Sequence, residues 1–216
     1  MKKLKRKRLK KIFFKRFLAV TLTFLLFVSL CSCKKQNQNK KVGEFLMTDG
    51  FSAEFDFVFS QDGADPLSGS ACGQKNEKSR IVFSSPEPLS GLSVESDEMS
   101  DVGTLIFNYY GMRTPMPVGS LSKINLLLSF FSDETAKCVS FLPSKAFKNY
   151  DMAYGDFGKT DAETLKECAF SLADGTECTL VFTAEDGFPV FYSAKKDGIC
   201  ADLTFTKIKP PAKDVS

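Results

Sequence analysis

Apolar and polar residues alternate through most of this chain. In 51–60, FSAEFDFVFS, Phe51, Ala53, Phe55, Phe57 and Phe59 fall on one face; Ser52, Glu54, Asp56, Val58 and Ser60 fall on the other. A period of two over ten residues predicts a half-exposed antiparallel strand. The same reading places strands at 67–73, 80–85, 91–96, 104–110, 136–142, 166–172, 177–183, 188–194 and 199–208. Turn residues punctuate them: Asp62-Gly63, Asp174-Gly175, Asp186-Gly187 and Asp197-Gly198 are hairpin signals. Short strands at this spacing predict a mainly β fold, a single antiparallel sheet that curls.

One stretch changes period. In 120–132, SLSKINLLLSFFS, apolar residues fall at Leu121, Ile124, Leu127, Leu128 and Phe131. That spacing predicts a helix, capped by Ser120 or Ser122. Leu126 and Phe130 make its other side apolar too, so it is expected to be buried on several sides or to cover an apolar opening. A second, shorter helix is expected at 43–50.

The N-terminus follows another logic. Residues 1–16 carry ten Lys and Arg and no acid, and 17–30, FLAVTLTFLLFVSL, carry no charge. Leu30, Ser32 and Cys33 complete the order basic, apolar, small, cysteine, which a bacterial secretion and lipidation pathway reads. Cys33 is the expected lipidation site. Cys31 fits less well, because bulky Leu30 precedes it. The apolar run is shorter than the about 20 residues a spanning helix needs. The expected organisation is a signal peptide at 1–32, a lipidated cysteine and polar tether at 33–43, a β-rich domain at 44–208 and a disordered tail at 209–216. The folded part is expected on the extracytoplasmic face of the cell membrane, because the basic flank stays inside.

The net charge changes sign once the signal is removed. The chain holds 29 Lys and Arg against 26 Asp and Glu, and ten of those bases leave with the signal, so the remainder is near −7. An acidic domain argues against nucleic acid as a partner. Seventeen of 22 Phe remain, with no Trp. So much Phe builds a large core or lines an apolar cavity, and the sequence leaves both open. Phe51, Phe55, Phe57, Phe59, Leu127, Leu128 and Phe131 are the ligand-cavity candidates.

Candidate chemistry is sparse. The chain has no His, which excludes Ser-His-Asp and Cys-His arrangements and most zinc sites. No Gly-rich phosphate loop and no C-x-x-C occurs. Glu95, Asp97, Glu98 and Asp101 cluster in ESDEMSD but lack the glycine turn and closing glutamate of a calcium loop, so they read as a solvated turn. No cofactor and no enzymatic activity are expected. Five cysteines follow Cys33, an odd number. With Asp174-Gly175 as a two-residue turn, Cys178 faces Ser171, so Cys168 and Cys178 are expected on opposite faces and unbridged.

Three stretches together carry a resemblance: Ser85-Pro86-Glu87-Pro88-Leu89-Ser90-Gly91-Leu92-Ser93-Val94; Leu105-Ile106-Phe107-Asn108-Tyr109-Tyr110-Gly111-Met112; and Glu185-Asp186-Gly187-Phe188-Pro189, leading through Asp197-Gly198 into Ala201-Asp202-Leu203-Thr204-Phe205-Thr206. Their order resembles LolA/LolB/LppX-like lipoproteins, in particular those of anaerobic Gram-positive bacteria of the germination-lipoprotein type. The resemblance implies an open half-barrel with one or two helices on its concave side, binding a lipid or other apolar ligand there. Carriers of this group gate the cavity with an arginine; no counterpart is identified in Arg80 or Arg113, the two arginines after the signal. Some relatives serve instead as protein partners, which implies docking to a cell-envelope or spore-cortex enzyme such as an amidase.

Overall fold

The structure, a computed structural model, describes residues 40–76, 78–97, 104–117, 122–147 and 164–210. The expected signal, Cys31 and Cys33 lie outside the described residues. A helix α1 at 40–47 opens the domain. Strands β1 (Phe51–Gln61), β2 (Ala64–Lys75), β3 (Ser79–Phe83), β4 (Ser93–Asp97), β5 (Thr104–Tyr109) and β6 (Met112–Pro117) follow. Helices α2 (Ser122–Ser129) and α3 (Asp133–Phe141) come next, then β7 (Lys145–Ala146), β8 (Leu165–Ser171), β9 (Glu177–Thr183), β10 (Pro189–Lys196) and β11 (Ile199–Lys209).

The strands form one antiparallel sheet in the order β6-β5-β4-β3-β2-β1-β11-β10-β9-β8-β7. First and last long strands pair at its centre, and the chain steps outward on both sides. The stripe expected on β1 is observed: Phe51, Ala53, Phe55, Phe57 and Phe59 are all buried. Phe55 faces Phe205 on one side and Ala71 on the other. Two-residue turns at Asp62-Gly63 and Asp197-Gly198 close their hairpins; the latter puts both residues at positive φ, 51° and 74°, the geometry that matches strand twist.

Helix α2 packs against β3, β10 and β11. Strands lie about 4.8 Å apart, so a flat sheet would hold β3 and β10 roughly 19 Å from each other. One short helix touches both because the sheet curls around it. The architecture is the expected curved open sheet with helices on its concave side.

Several local expectations are corrected. Residues 136–142 are not a strand; 133–141 form α3. Ser132 accepts a hydrogen bond from the Thr135 amide and so caps the helix, and Asp133 and Glu134 sit in its first turn, where the helix dipole favours acid. The helix expected over 120–132 ends at Ser129, and Phe130 and Phe131 lie in the link before that cap. The short helix lies at 40–47 rather than 43–50, taking up residues assigned to the tether. Strand β11 runs to Lys209, the first residue of the expected tail.

The β8–β9 register is also corrected. Leu172 N–H donates to Thr176 O at 2.9 Å, and Asp174 Oδ1 accepts from Thr176 N–H at 3.0 Å. The turn therefore spans 172–176, and Cys178 faces Phe170 while Cys168 faces Leu180. Both thiols point to the same buried face, and both are free.

A buried lysine ties the helices to the sheet. Lys75, 4% exposed, donates to Leu46 O in the last turn of α1 at 2.7 Å and to Asp133 Oδ1 of α3 at 2.5 Å. The hydrogen bond from Lys75 is the main cause that holds the Asp133 carboxyl below its usual range. A lowered carboxylate pKa contributes stability above the unfolded value and loses it as pH falls through the folded one. Lys75→Met is expected to leave the Leu46 carbonyl unsatisfied and to cost about 1–3 kcal/mol at neutral pH. Carbon-detected NMR titration should show Asp133 titrating at higher pH in the variant. An unmoved Asp133 would deny the pair its role.

Candidate functional site: the concave face

The concave face begins with β1, whose pleat sends Phe51, Phe55, Phe57 and Phe59 to one side. Helix α2 supplies Leu127 and Leu128, and the α2–α3 link supplies Phe131. All seven candidates lie at 8% exposure or less, in one apolar cluster.

Within the cluster the rings make two groups. Phe131 stacks on Phe51 with centroids 5.8 Å apart and planes at 21°. Phe55 approaches Phe131 at 6.3 Å and Phe205 at 6.0 Å. The second group is Phe57 with Phe59 at 5.2 Å and with Phe83 at 5.4 Å. These are the separations at which aromatic pairs attract. Around the candidates, the described side chains are filled in against each other.

Four participants lie outside the seven candidates. Phe130 meets Phe205 at 4.6 Å, and Phe83 and Phe205 belong to strands whose partners the sequence does not name. Gly73 carries no side chain, yet it decides where Phe131 goes: a Cβ there would stand 2.0 Å from Phe131 Cζ. The ring lies against bare backbone. A glycine inside a strand is the sequence signal for such a close approach.

Polar groups on this face are few and paired. Tyr192 is fully buried; its hydroxyl lies 2.8 Å from Ser129 Oγ at the end of α2 and 3.1 Å from Cys178 Sγ. Burial pushes the Tyr192 hydroxyl well above its ordinary value. Burial likewise pushes the Cys168 and Cys178 thiols to about 11. They stay protonated at neutral pH, and the thiol form is a poor nucleophile. Among the described residues, no group of three or more His, Cys, Asp or Glu is placed to hold a metal ion, and no helix is long and apolar enough to cross a membrane.

The arginines lie elsewhere. Arg80 Nε reaches Glu95 Oε1 at 3.5 Å and Arg113 Nη2 reaches Glu95 Oε2 at 3.9 Å. Arg80 and Arg113 thus share Glu95. What the concave face can do chemically is exclude water and hold apolar groups.

No protein-family model matches this sequence, and no curated protein matches it. Solved structures do. A LolA superfamily protein from Nitrosomonas europaea has 10% identity and a TM-score of 0.40, over 82% of this chain and 93% of that one. Lipoprotein LppX from Mycobacterium tuberculosis has 10% identity and a TM-score of 0.40, over 83% and 97%. LprF from Mycobacterium bovis has 9% identity and a TM-score of 0.38, over 83% and 95%. All three scores lie below one half, and the fold assignment rests on this chain's own strand order and register.

Proposed function

We propose that this protein is a non-enzymatic lipoprotein, held on the extracytoplasmic face of the membrane through Cys33, that binds the acyl chain of a lipid or another apolar ligand in its half-barrel. The observation that carries this reading is the continuous apolar lining of the concave face, from Phe57 and Phe83 through Phe55 to Phe131 and Phe205. The lid over part of it is short: α2 has eight residues, below the length at which a helix holds itself in water. An entering chain replaces the contacts of Leu127, Leu128 and Phe131 with its own methylenes, each worth about 0.8 kcal/mol.

Native mass spectrometry of Gln38–Ser216, the compact unit, purified without detergent, tests this. A bound species of lipid mass, or uptake of a fluorescent fatty acid, is the expected result. A clean apo mass with no uptake sinks the lipid reading.

One observation favours a second reading. The concave rings already meet at 4.6–6.3 Å, as in a finished core. Function would then lie on the surface, and the domain would dock and regulate a cell-envelope or spore-cortex enzyme such as an amidase. Stoichiometric recovery of an envelope enzyme by crosslinking the lipidated protein in its own membrane is expected in that case, together with the apo mass.

A further inference from the structure

The outer face of the sheet carries a groove of about 440 Å³ over β8 to β11. Two cross-strand rows make it. Ala169, Thr179 and Ser193 face one another across β8, β9 and β10. Ser171, Glu177, Lys195 and Cys200 form the next row. The first row is small on three adjacent strands, so the groove runs across the sheet and opens at the β8 edge.

Among the described residues, that edge is unpaired where the groove reaches it. Ladder bonds in an antiparallel pair alternate sides. Leu172 N–H donates to Thr176 O, and Phe147 N–H donates from the opposite side to Leu165 O. These two bonds set the phase: Leu165, Glu167, Ala169 and Ser171 turn their backbone groups away from β9. Strand β7 occupies the edge at Lys166 and Glu167. Its register continued would bring Pro143 opposite Ala169, and proline has no N–H to give. Beyond, α3 takes over: Glu134 Oε1 accepts from Ala173 N–H, and Cys138 Sγ donates to Ser171 O at 3.8 Å. Between them, among the described residues, the Ala169 N–H, the Ala169 carbonyl and the Ser171 N–H have no partner. Phe141, three residues after Cys138 on the same side of α3, is 84% exposed beside this gap.

We propose that the β8 edge receives an extended segment of a partner protein, which adds as a short strand against Ala169–Ser171 and lays one side chain in the outer groove. Donor, acceptor and donor at a two-residue spacing are matched by another extended backbone, and adjoining pockets then select side chains. The added residue opposite Ala169 points to the outer face and extends the small row. Glu177 and Lys195 face each other within the second row, so their charges offset and an uncharged side chain suits the groove. A second copy of this chain is a poor occupant. Two β8 edges paired about Ala169 would set one Ser171 against the other Glu167, where β7 already lies. The site is on the face opposite the phenylalanine lining, so it stands or falls apart from the apolar-ligand reading.

The test pans phage-displayed random heptapeptides on the full-length lipidated protein in detergent micelles. Selected peptides are expected to lose about tenfold in affinity, one hydrogen bond's worth, with Ala169→Pro, which removes the outward N–H and no bond to β9. Ala169→Trp, which fills the groove and spares the backbone, is expected to do the same if the proline variant fails to fold. Amide exchange at 169 and 171 should slow on binding. Failure to select a binder, or peptides that bind both variants unchanged, overturns the proposal. Concentration-dependent dimers abolished by Ala169→Pro overturn it in favour of a second copy.

Discussion

Phe131→Ala is expected to lower the stability of the domain by about 3–5 kcal/mol, the range for truncating a buried aromatic. The ring is 1% exposed. It touches Phe51, Phe55 and Phe130 with centroids 5.8, 6.3 and 4.9 Å away and lies on the backbone of Gly73. From the sheet side nothing can swing into the void, because Gly73, held in two ladders, has no side chain. The site therefore collapses poorly, which places the loss in the upper part of the range. Urea unfolding followed by far-UV circular dichroism reads it. A loss below about 1 kcal/mol, the level of surface substitutions, would mean that Phe131 is not the keystone its contacts describe. The complementary change, Gly73→Val, should be comparably damaging by overpacking, and the two effects should not add, because the residues are in contact.

Cys33→Ser is expected to abolish incorporation of a fatty-acid label into the protein, while Cys31→Ser leaves it near the parent level. The thiol is the only group at that position able to carry the thioether-linked lipid, so the effect is all or none rather than graded. Each buried methylene of an acyl chain contributes about 0.8 kcal/mol to membrane binding, and two chains suffice for stable anchoring where one does not. Metabolic labelling with an alkyne fatty acid, followed by gel fluorescence, checks both variants together. Label retained in Cys33→Ser and lost in Cys31→Ser would move the processing site two residues back. Label retained in both would remove the lipoprotein reading.

Most of the sheet was legible because period-two patterning and turn chemistry are local. Strand β1 was readable to within a residue, since Phe at every second position leaves one face no option but burial. The strand expected at 136–142 gives way to α3 for a local reason too. Cys138, Val139, Ser140 and Phe141 are residues of ordinary strand preference, and the cap that makes them helical, Ser132, lay inside the helix expected before it. At β8–β9, Asp174-Gly175 resembles a two-residue turn. Asp174 instead spends its carboxylate on the Thr176 amide and on Lys196 Nζ at 2.6 Å, and Lys196 is a contact no local rule supplies. One residue of register followed, and with it the face on which Cys168 stands.

By itself the sequence determined the fold class, the β1 stripe, an apolar helix after the middle strands, and the absence of any histidine-dependent chemistry. These follow from backbone geometry and residue inventory, which act within a few positions. Only the tertiary structure decided the strand order outward from a β1–β11 centre, the stacking of Phe131 on Gly73, and the pairing of Lys75 with both α1 and α3. It also decided that, among the described residues, the outer groove meets a stretch of β8 that no strand pairs. Each of these joins residues far apart in the chain, and long-range partners are fixed by which close packing fills space and satisfies buried polar groups together, a condition on the whole domain that no local pattern contains.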